Sequence, residues 1–366
     1  MHAGIAYSDK KDSHSAAKNA AEEAVSQIGS ADIVILFSTD YHNQKVVLST
    51  TLEVTNSKVV GCCTAGLITP DGVLNRGVGV CALKGVGAAT YLGRTGGWTG
   101  GESAGKALRK IKKGTILVFP DGFANEIPDF LRGVYNALGP DYVYLGGGSG
   151  DNLMSTETYQ FTEKGVIKGG FALAAFGWTL STAVGHGWVP ITSPMVITKA
   201  SGRVVSEIEG ENAFKAYSRL VKCGKKNFAY YGMQHPFGLT GACGSFLIIR
   251  DPIAVREDGS IELVSEVPQN CVITIMGCKH DDLIKTAENV AEVAVSGVKR
   301  PKFALIFDCV SRKLLLGKKF NDEVAAIKDV LDVPFIGPLT FGEVHSSFSV
   351  PIFHNKTVVV AVGGEK

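Results

Sequence analysis

Three apolar runs, Ile33 to Phe37, Ile116 to Phe119 and Ala304 to Phe307, each end in phenylalanine, and each opens the same succession of apolar and polar positions. A stretch with helical spacing comes next, then a second short apolar run, then a glycine-rich turn. The turns read Val60-Gly61-Cys62-Cys63-Thr64-Ala65-Gly66, Leu145-Gly146-Gly147-Gly148-Ser149-Gly150-Asp151 and Ile336-Gly337-Pro338-Leu339-Thr340-Phe341-Gly342-Glu343. A β-rich return follows each one, at Val78 to Leu83, Gly170 to Phe176 and Val358 to Val362. The period of roughly 90 residues exceeds the about 20 to 50 of solenoid repeats, so the pattern predicts three large supersecondary units.

The first unit is predicted to open with a strand at Ile5 to Ser8 and a helix at Ser13 to Gln27, where Ala16, Ala17, Ala20, Ala21 and Ala24 recur at helical spacing. Ser13 suits its N-cap and Gly29 its stop. The second unit begins near Val86 to Leu92, with helices at Glu102 to Lys112 and Glu126 to Leu138. The third is expected to open with Val272 to Met276 and to continue through helices at Asp282 to Val295 and Asp322 to Leu331. Strands alternating with helices predict an α/β fold. Its mixed sheets come from three pseudo-repeats of strand-helix-strand-helix-strand-hairpin, with an inserted α/β segment before the third. The expected division falls between residues 1–190 and 191–366, without a low-complexity linker to mark it.

Composition narrows the function classes. A length of 366 residues and 45% hydrophobic content suit two ordinary folded domains. With 37 basic against 35 acidic residues the net charge is +2, too weak a field for a polyanionic partner, so nucleic acid is not expected. No basic and apolar leader and no apolar run of about 20 residues is present, so membrane insertion is not expected and the chain reads as cytoplasmic. The eight cysteines lack zinc-like C-x-x-C spacing and are expected to be reduced. No P-loop, H-E-x-x-H or G-x-S-x-G occurs, and Gly77-Val78-Gly79-Val80-Cys81-Ala82 fits G-x-G-x-x-A only inside a strand pattern.

Val59-Val60-Gly61-Cys62-Cys63-Thr64-Ala65-Gly66 resembles a v-G-C-S-T-A-G-E motif of the FIST family, named for F-box and intracellular signal transduction proteins. Cys63 stands where that motif has serine, and Leu67 where it has an acid. Gly185-His186-Gly187-Trp188 with Glu207 to Ala213 resembles the junction into the carboxy-terminal FIST half. Phe307-Asp308-Cys309-Val310-Ser311-Arg312, Phe341-Gly342-Glu343-Val344 and His354-Asn355-Lys356-Thr357 resemble its later signatures. The resemblance implies amino- and carboxy-terminal FIST domains acting as a sensory module for small molecules such as amino acids. It also implies haem and a response to nitric oxide in some members. Any output is expected to pass through a separate signalling protein.

Ligands of layered α/β proteins sit beyond the carboxyl ends of the strands, where the glycine turns lie. Cys62, Thr64, Gly66, Gly148, Asp151 and Thr340 are therefore candidate ligand contacts, with tight-turn chemistry as the alternative for the glycines and for Asp121 and Asp151. Arg312, next to Cys309, could clamp a carboxylate with its planar fork, or form an internal ion pair with Glu343. Glu343 could meet an amine, and His354 opens the last signature. No cofactor is expected; the haem alternative would rest on His186. An enzyme with Cys309 or Cys62 as nucleophile and a histidine base is the competing class.

Overall fold

Backbone hydrogen bonding sorts the strands of the computed structural model, which describes residues 2–154, 156–240, 247–347 and 349–365, into four sheets. Three share one strand order. Sheet I runs His2–Ser8, Val78–Lys84, Ile33–Thr39, Lys58–Thr64, Tyr159–Thr162, Gly165–Lys168. Sheet II runs Ala88–Gly93, Phe171–Phe176, Gly114–Pro120, Tyr142–Gly147, Glu343–Ser347, Val350–His354. Sheet III runs Ser181–Gly185, Val358–Glu365, Arg300–Cys309, Phe335–Thr340, Leu67–Thr69, Gly72–Leu74. The two central strands of each are parallel, and the flanking pairs are antiparallel.

The last two strands of each sheet are a hairpin lent by another part of the chain. Sheet I receives residues 159–168, sheet II residues 343–354 and sheet III residues 67–74. Hairpins 67–74 and 343–354 follow directly on a glycine turn, and hairpin 159–168 follows the turn that ends at Asp151 after a further segment, so the turns lead from one sheet to another. The apolar runs that end in phenylalanine are the central strands, buried on both faces. Their terminal rings meet in a shared core, with centroids 5.7 Å apart for Phe37 and Phe119, 6.1 Å for Phe119 and Phe307, and 6.4 Å for Phe37 and Phe307. The edge-on and tilted arrangements suit the ring quadrupoles.

Glycine is required at one point in each parallel pair. A Cβ at Gly61 would lie 1.9 Å from the Leu36 carbonyl oxygen, at Gly146 2.1 Å from that of Val118, and at Gly337 1.6 Å from that of Ile306. In every case the obstructing carbonyl belongs to the residue before the core phenylalanine.

Two details differ from the sequence expectation. Helix Ser13–Ser26 is capped by Asp12, whose carboxylate accepts from the Ser15 amide at 2.8 Å, because the Ser13 hydroxyl is engaged by the Asn43 amide at 3.0 Å. The strand that opens the third unit is Ser181–Gly185, which pairs with Val358–Glu365 as His2–Ser8 pairs with Val78–Lys84. Val272–Gly277 instead lies within the fourth sheet, flanked by Phe237–Thr240 and Met195–Ser201. The inserted segment therefore falls after the first strand of the third unit rather than before the unit. It has its own core, built by helices Ala213–Val221 and Phe228–Gln234 around Tyr217, Phe228 and Phe237. The expected division after residue 190 falls at the end of strand Val189–Pro190, and sheets II and III each take strands from both sides of it.

Seven described cysteines are free thiols; the eighth, Cys243, lies outside the described residues. Among the described residues no helix is long and apolar enough to cross a membrane.

Gly337→Ala is expected to lower unfolding free energy by more than about 2 kcal/mol. Gly87→Ala, whose Cβ would meet nothing nearer than 3.7 Å, should change it by no more than about 0.5 kcal/mol. Paired urea titrations measure both.

Candidate functional site

Backbone bonds join the three glycine turns to one another. The Gly150 amide donates to the Cys63 carbonyl at 3.2 Å, Leu339 to Gly66 at 2.8 Å, Phe341 to Gly148 at 2.9 Å, and Gly148 to Gly342 at 2.8 Å. The Thr64 hydroxyl adds a bond to the Leu339 carbonyl at 2.7 Å. A Cβ at Gly148 would stand 2.3 Å from the Phe341 carbonyl oxygen, and one at Gly66 2.8 Å from Leu339 Cδ1. Thr64, Gly66 and Gly148 are thus committed to joining the sheets. Cys62 is fully buried in the shared core, where desolvation holds its thiol well above the usual range. Asp151 accepts from the amide and hydroxyl of Thr156 at 2.7 and 3.1 Å, which closes a turn.

Beside this junction lie the segments that follow Gly114–Pro120, Arg300–Cys309 and Phe335–Thr340, the second of them helix Val310–Leu316, and the inserted sheet stands opposite them. A cleft of about 330 Å³ remains between the two, in the size range of small-molecule sites. Gly122, Phe123, Cys309, Ser311, Phe341 and Gly342 line it from the strand ends. Arg203, Asp251, Ile253 and Val264 line it from the insert, and Asn355 from the turn before the last strand. Phe123 and Phe341 pack edge to face, centroids 5.4 Å apart, and give the cleft an aromatic wall. A larger groove over helices Ser13–Ser26 and Gln44–Thr55 is rimmed by solvated lysine and glutamate, far from the turns.

Polar groups behind the cleft wall are tightly held. Glu343 is completely buried; its carboxylate accepts from the Thr340 hydroxyl at 2.7 Å and from the Thr357 amide and hydroxyl at 3.1 and 2.8 Å. Burial raises its pKa from 4.5 to about 7 against those bonds and one from the Cys309 thiol. Cys309, 5% exposed, receives the Ser311 hydroxyl at 3.1 Å, and desolvation with the Glu343 charge pushes its thiol up to about 12. His354 pairs with Glu343 across the ladder, and burial holds its imidazole well below the usual range, as a neutral ring. Asn355 differs from these. It is 2% exposed, its amide nitrogen donates to the His354 carbonyl at 3.0 Å, and its Oδ1 has no donor among the described residues.

Comparison with protein families decides the affiliation: the FIST N domain matches residues 32–211 and the FIST C domain residues 213–346. The chain belongs to the FIST family. FIST domains are sensory domains of signal transduction. A search of curated proteins finds no match.

Within this FIST chain the sequence-predicted carboxylate clamp is spent internally. Arg312 is fully buried, and its Nε meets Glu323 Oε1 at 3.1 Å and Asp308 Oδ1 at 3.2 Å. Its Nη2 donates to Glu323 Oε2 at 2.8 Å and the Leu283 carbonyl at 3.1 Å; its Nη1 donates to the carbonyls of His186 at 2.6 Å and Lys356 at 3.5 Å. Every N–H of the fork is used, so none is left for a ligand. The internal partner is Glu323, not Glu343. Desolvation and the neighbouring Glu323 charge push the Asp308 carboxyl well above its usual range.

His186 does not fit haem ligation. Its Nδ1 accepts the Trp188 amide at 3.0 Å, the ring is also bonded to the Leu247 backbone, and burial beside Arg312 lowers its pKa to about 4. Of the candidate contacts, the cleft brings forward Cys309, with Glu343 and Thr340 directly behind it. Sequence reading passed over Asn355, although it stands inside a quoted signature, and had no signal for Arg203, Asp251, Ile253 or Val264, which only tertiary packing places there.

Arg312→Met is expected to destabilise the fold by about 3–5 kcal/mol, because it leaves Glu323 buried without its cation. A melting curve within a few degrees of the parent would refute that structural role. Glu343 binds its proton more tightly folded than unfolded, so its own contribution to stability is greatest below pH 4.5 and is lost as pH rises toward about 7. Urea titrations across that window should give a shallower decline for Glu343→Gln than for the parent.

Proposed function

We propose that this FIST chain is a cytoplasmic sensory module that takes a small polar, amino-acid-like ligand into the cleft between the strand-end turns and the inserted sheet, and signals through a separate protein. One observation carries the reading: Asn355 lines the cleft, and its buried Oδ1 has no donor among the described residues. Leaving such an acceptor unpaired costs about 1–3 kcal/mol, which a ligand donor would recover. The setting supports it, since strand-end loops and a second body of structure enclose the cleft and its aromatic wall can cover an apolar part of a ligand. Free thiols suit a reducing compartment.

The alternative of a cysteine nucleophile gains nothing from the thiols. Cys309 is pushed to about 12 and Cys62 well above its ordinary value, so neither offers a thiolate near neutral pH.

Native mass spectrometry of protein from its own host, followed by thermal-shift titration of the recovered small molecule, tests the proposal. The parent should bind it. Val264→Trp, which fills the cleft from the insert side, should weaken binding at least ten-fold while melting within a few degrees of the parent. Undiminished binding by Val264→Trp would place the site elsewhere.

A further inference from the structure

Resting on the reading of the cleft as a ligand site, we infer that its inner end is a subsite for a cationic nitrogen bearing N–H donors, a primary ammonium or an amidinium, held by Asp251 and Asn355. Both residues line the cleft, and each carries an oxygen acceptor. Asn355 contributes the unpaired Oδ1. Its amide nitrogen is fixed on the His354 carbonyl, so the side chain cannot turn its donor to the cleft without giving up that bond.

Asp251 contributes charge. Its side chain is 15% exposed, and its only ion-pair partner among the described residues is Lys356, with Oδ2 2.9 Å from Nζ. Lys356 itself is fully buried, with the Trp188 ring 5.5 Å from its Nζ on another side. The Lys356 ammonium is placed against one carboxylate oxygen, Oδ2, which leaves acceptor capacity on the carboxylate. Lys356, which bonds to Asp251, follows Asn355 directly in the chain, so the two lining residues are tied together through it.

The other polar groups of the lining do not compete for this role. Arg203 is paired with Glu262, and the Ser311 hydroxyl is directed to Cys309. An anionic head group would meet Asp251 and an amide oxygen, both repulsive. A neutral hydroxyl could satisfy Asn355 alone. A cationic N–H group satisfies both acceptors, and the Phe123–Phe341 wall with Ile253 and Val264 then receives an apolar or aromatic remainder.

The test uses phenethylammonium and its uncharged counterpart 2-phenylethanol, titrated separately into the full chain and followed by NMR shifts of labelled Phe123 and Phe341. Phenethylammonium should bind at least ten-fold more tightly than 2-phenylethanol. Asp251→Asn should remove that preference. Since this substitution strands the buried Lys356 ammonium, the charge-balanced pair Asp251→Asn with Lys356→Met is measured beside it and should lose the preference while staying folded. Equal binding of the two compounds to the parent, or a preference that survives in the double variant, would overturn the subsite. So would the absence of any shift with phenethylammonium. None of these results bears on the cleft itself, which is judged by the host-derived small molecule and Val264→Trp.

Discussion

The carbonyl oxygens of Leu36, Val118 and Ile306 occupy the space that a side chain would need at Gly61, Gly146 and Gly337, and this close approach sets the course of the rest of the chain. In each parallel pair the backbone comes in too close for any residue but glycine and then leaves the sheet as a turn. Each turn carries a hairpin to the next sheet, so the three sheets are joined by strand pairing as well as by packing. The amide-to-carbonyl bonds among the turns follow from that exchange. A cleft beside such a junction has walls set by backbone on several sides, which favours a preformed site over one assembled by moving loops.

Much of this architecture was legible in the chain. Phe37, Phe119 and Phe307 marked the ends of three buried strands because a continuous apolar run of strand length has few other uses, and the rings do meet. The glycine turns were visible for the same reason, as breaks that no side chain would tolerate. The exchange of hairpins was not visible, because a two-stranded hairpin reads the same whichever sheet it joins. Nor was the true opening of the third unit: Ser181–Gly185 is short, and the insertion separates it from its helix by most of the fourth sheet.

The site was legible only in outline. Arg312 carries the chemistry that recognises a carboxylate, and sequence cannot say whether that carboxylate belongs to a ligand or to Glu323, eleven residues onward in the chain. Burial settles it, since a guanidinium with every donor used inside the protein is part of the frame. Asn355 is the reverse case. As a residue type it suggests a turn, and its importance lies in the acceptor that the frame leaves over. The framework spends Arg312 and Glu323 on holding itself together.

The most direct measurement of the central claim is hydrogen–deuterium exchange of the full chain with and without a small-metabolite extract of its host. Binding in the cleft predicts that the segments containing Gly122–Ala124, Asp251–Ile253, Cys309–Ser311 and Phe341–Gly342 gain protection together, since they line one space while lying far apart in sequence. Protection confined to the groove around His14 and Thr50, or spread over one segment alone, would contradict the account.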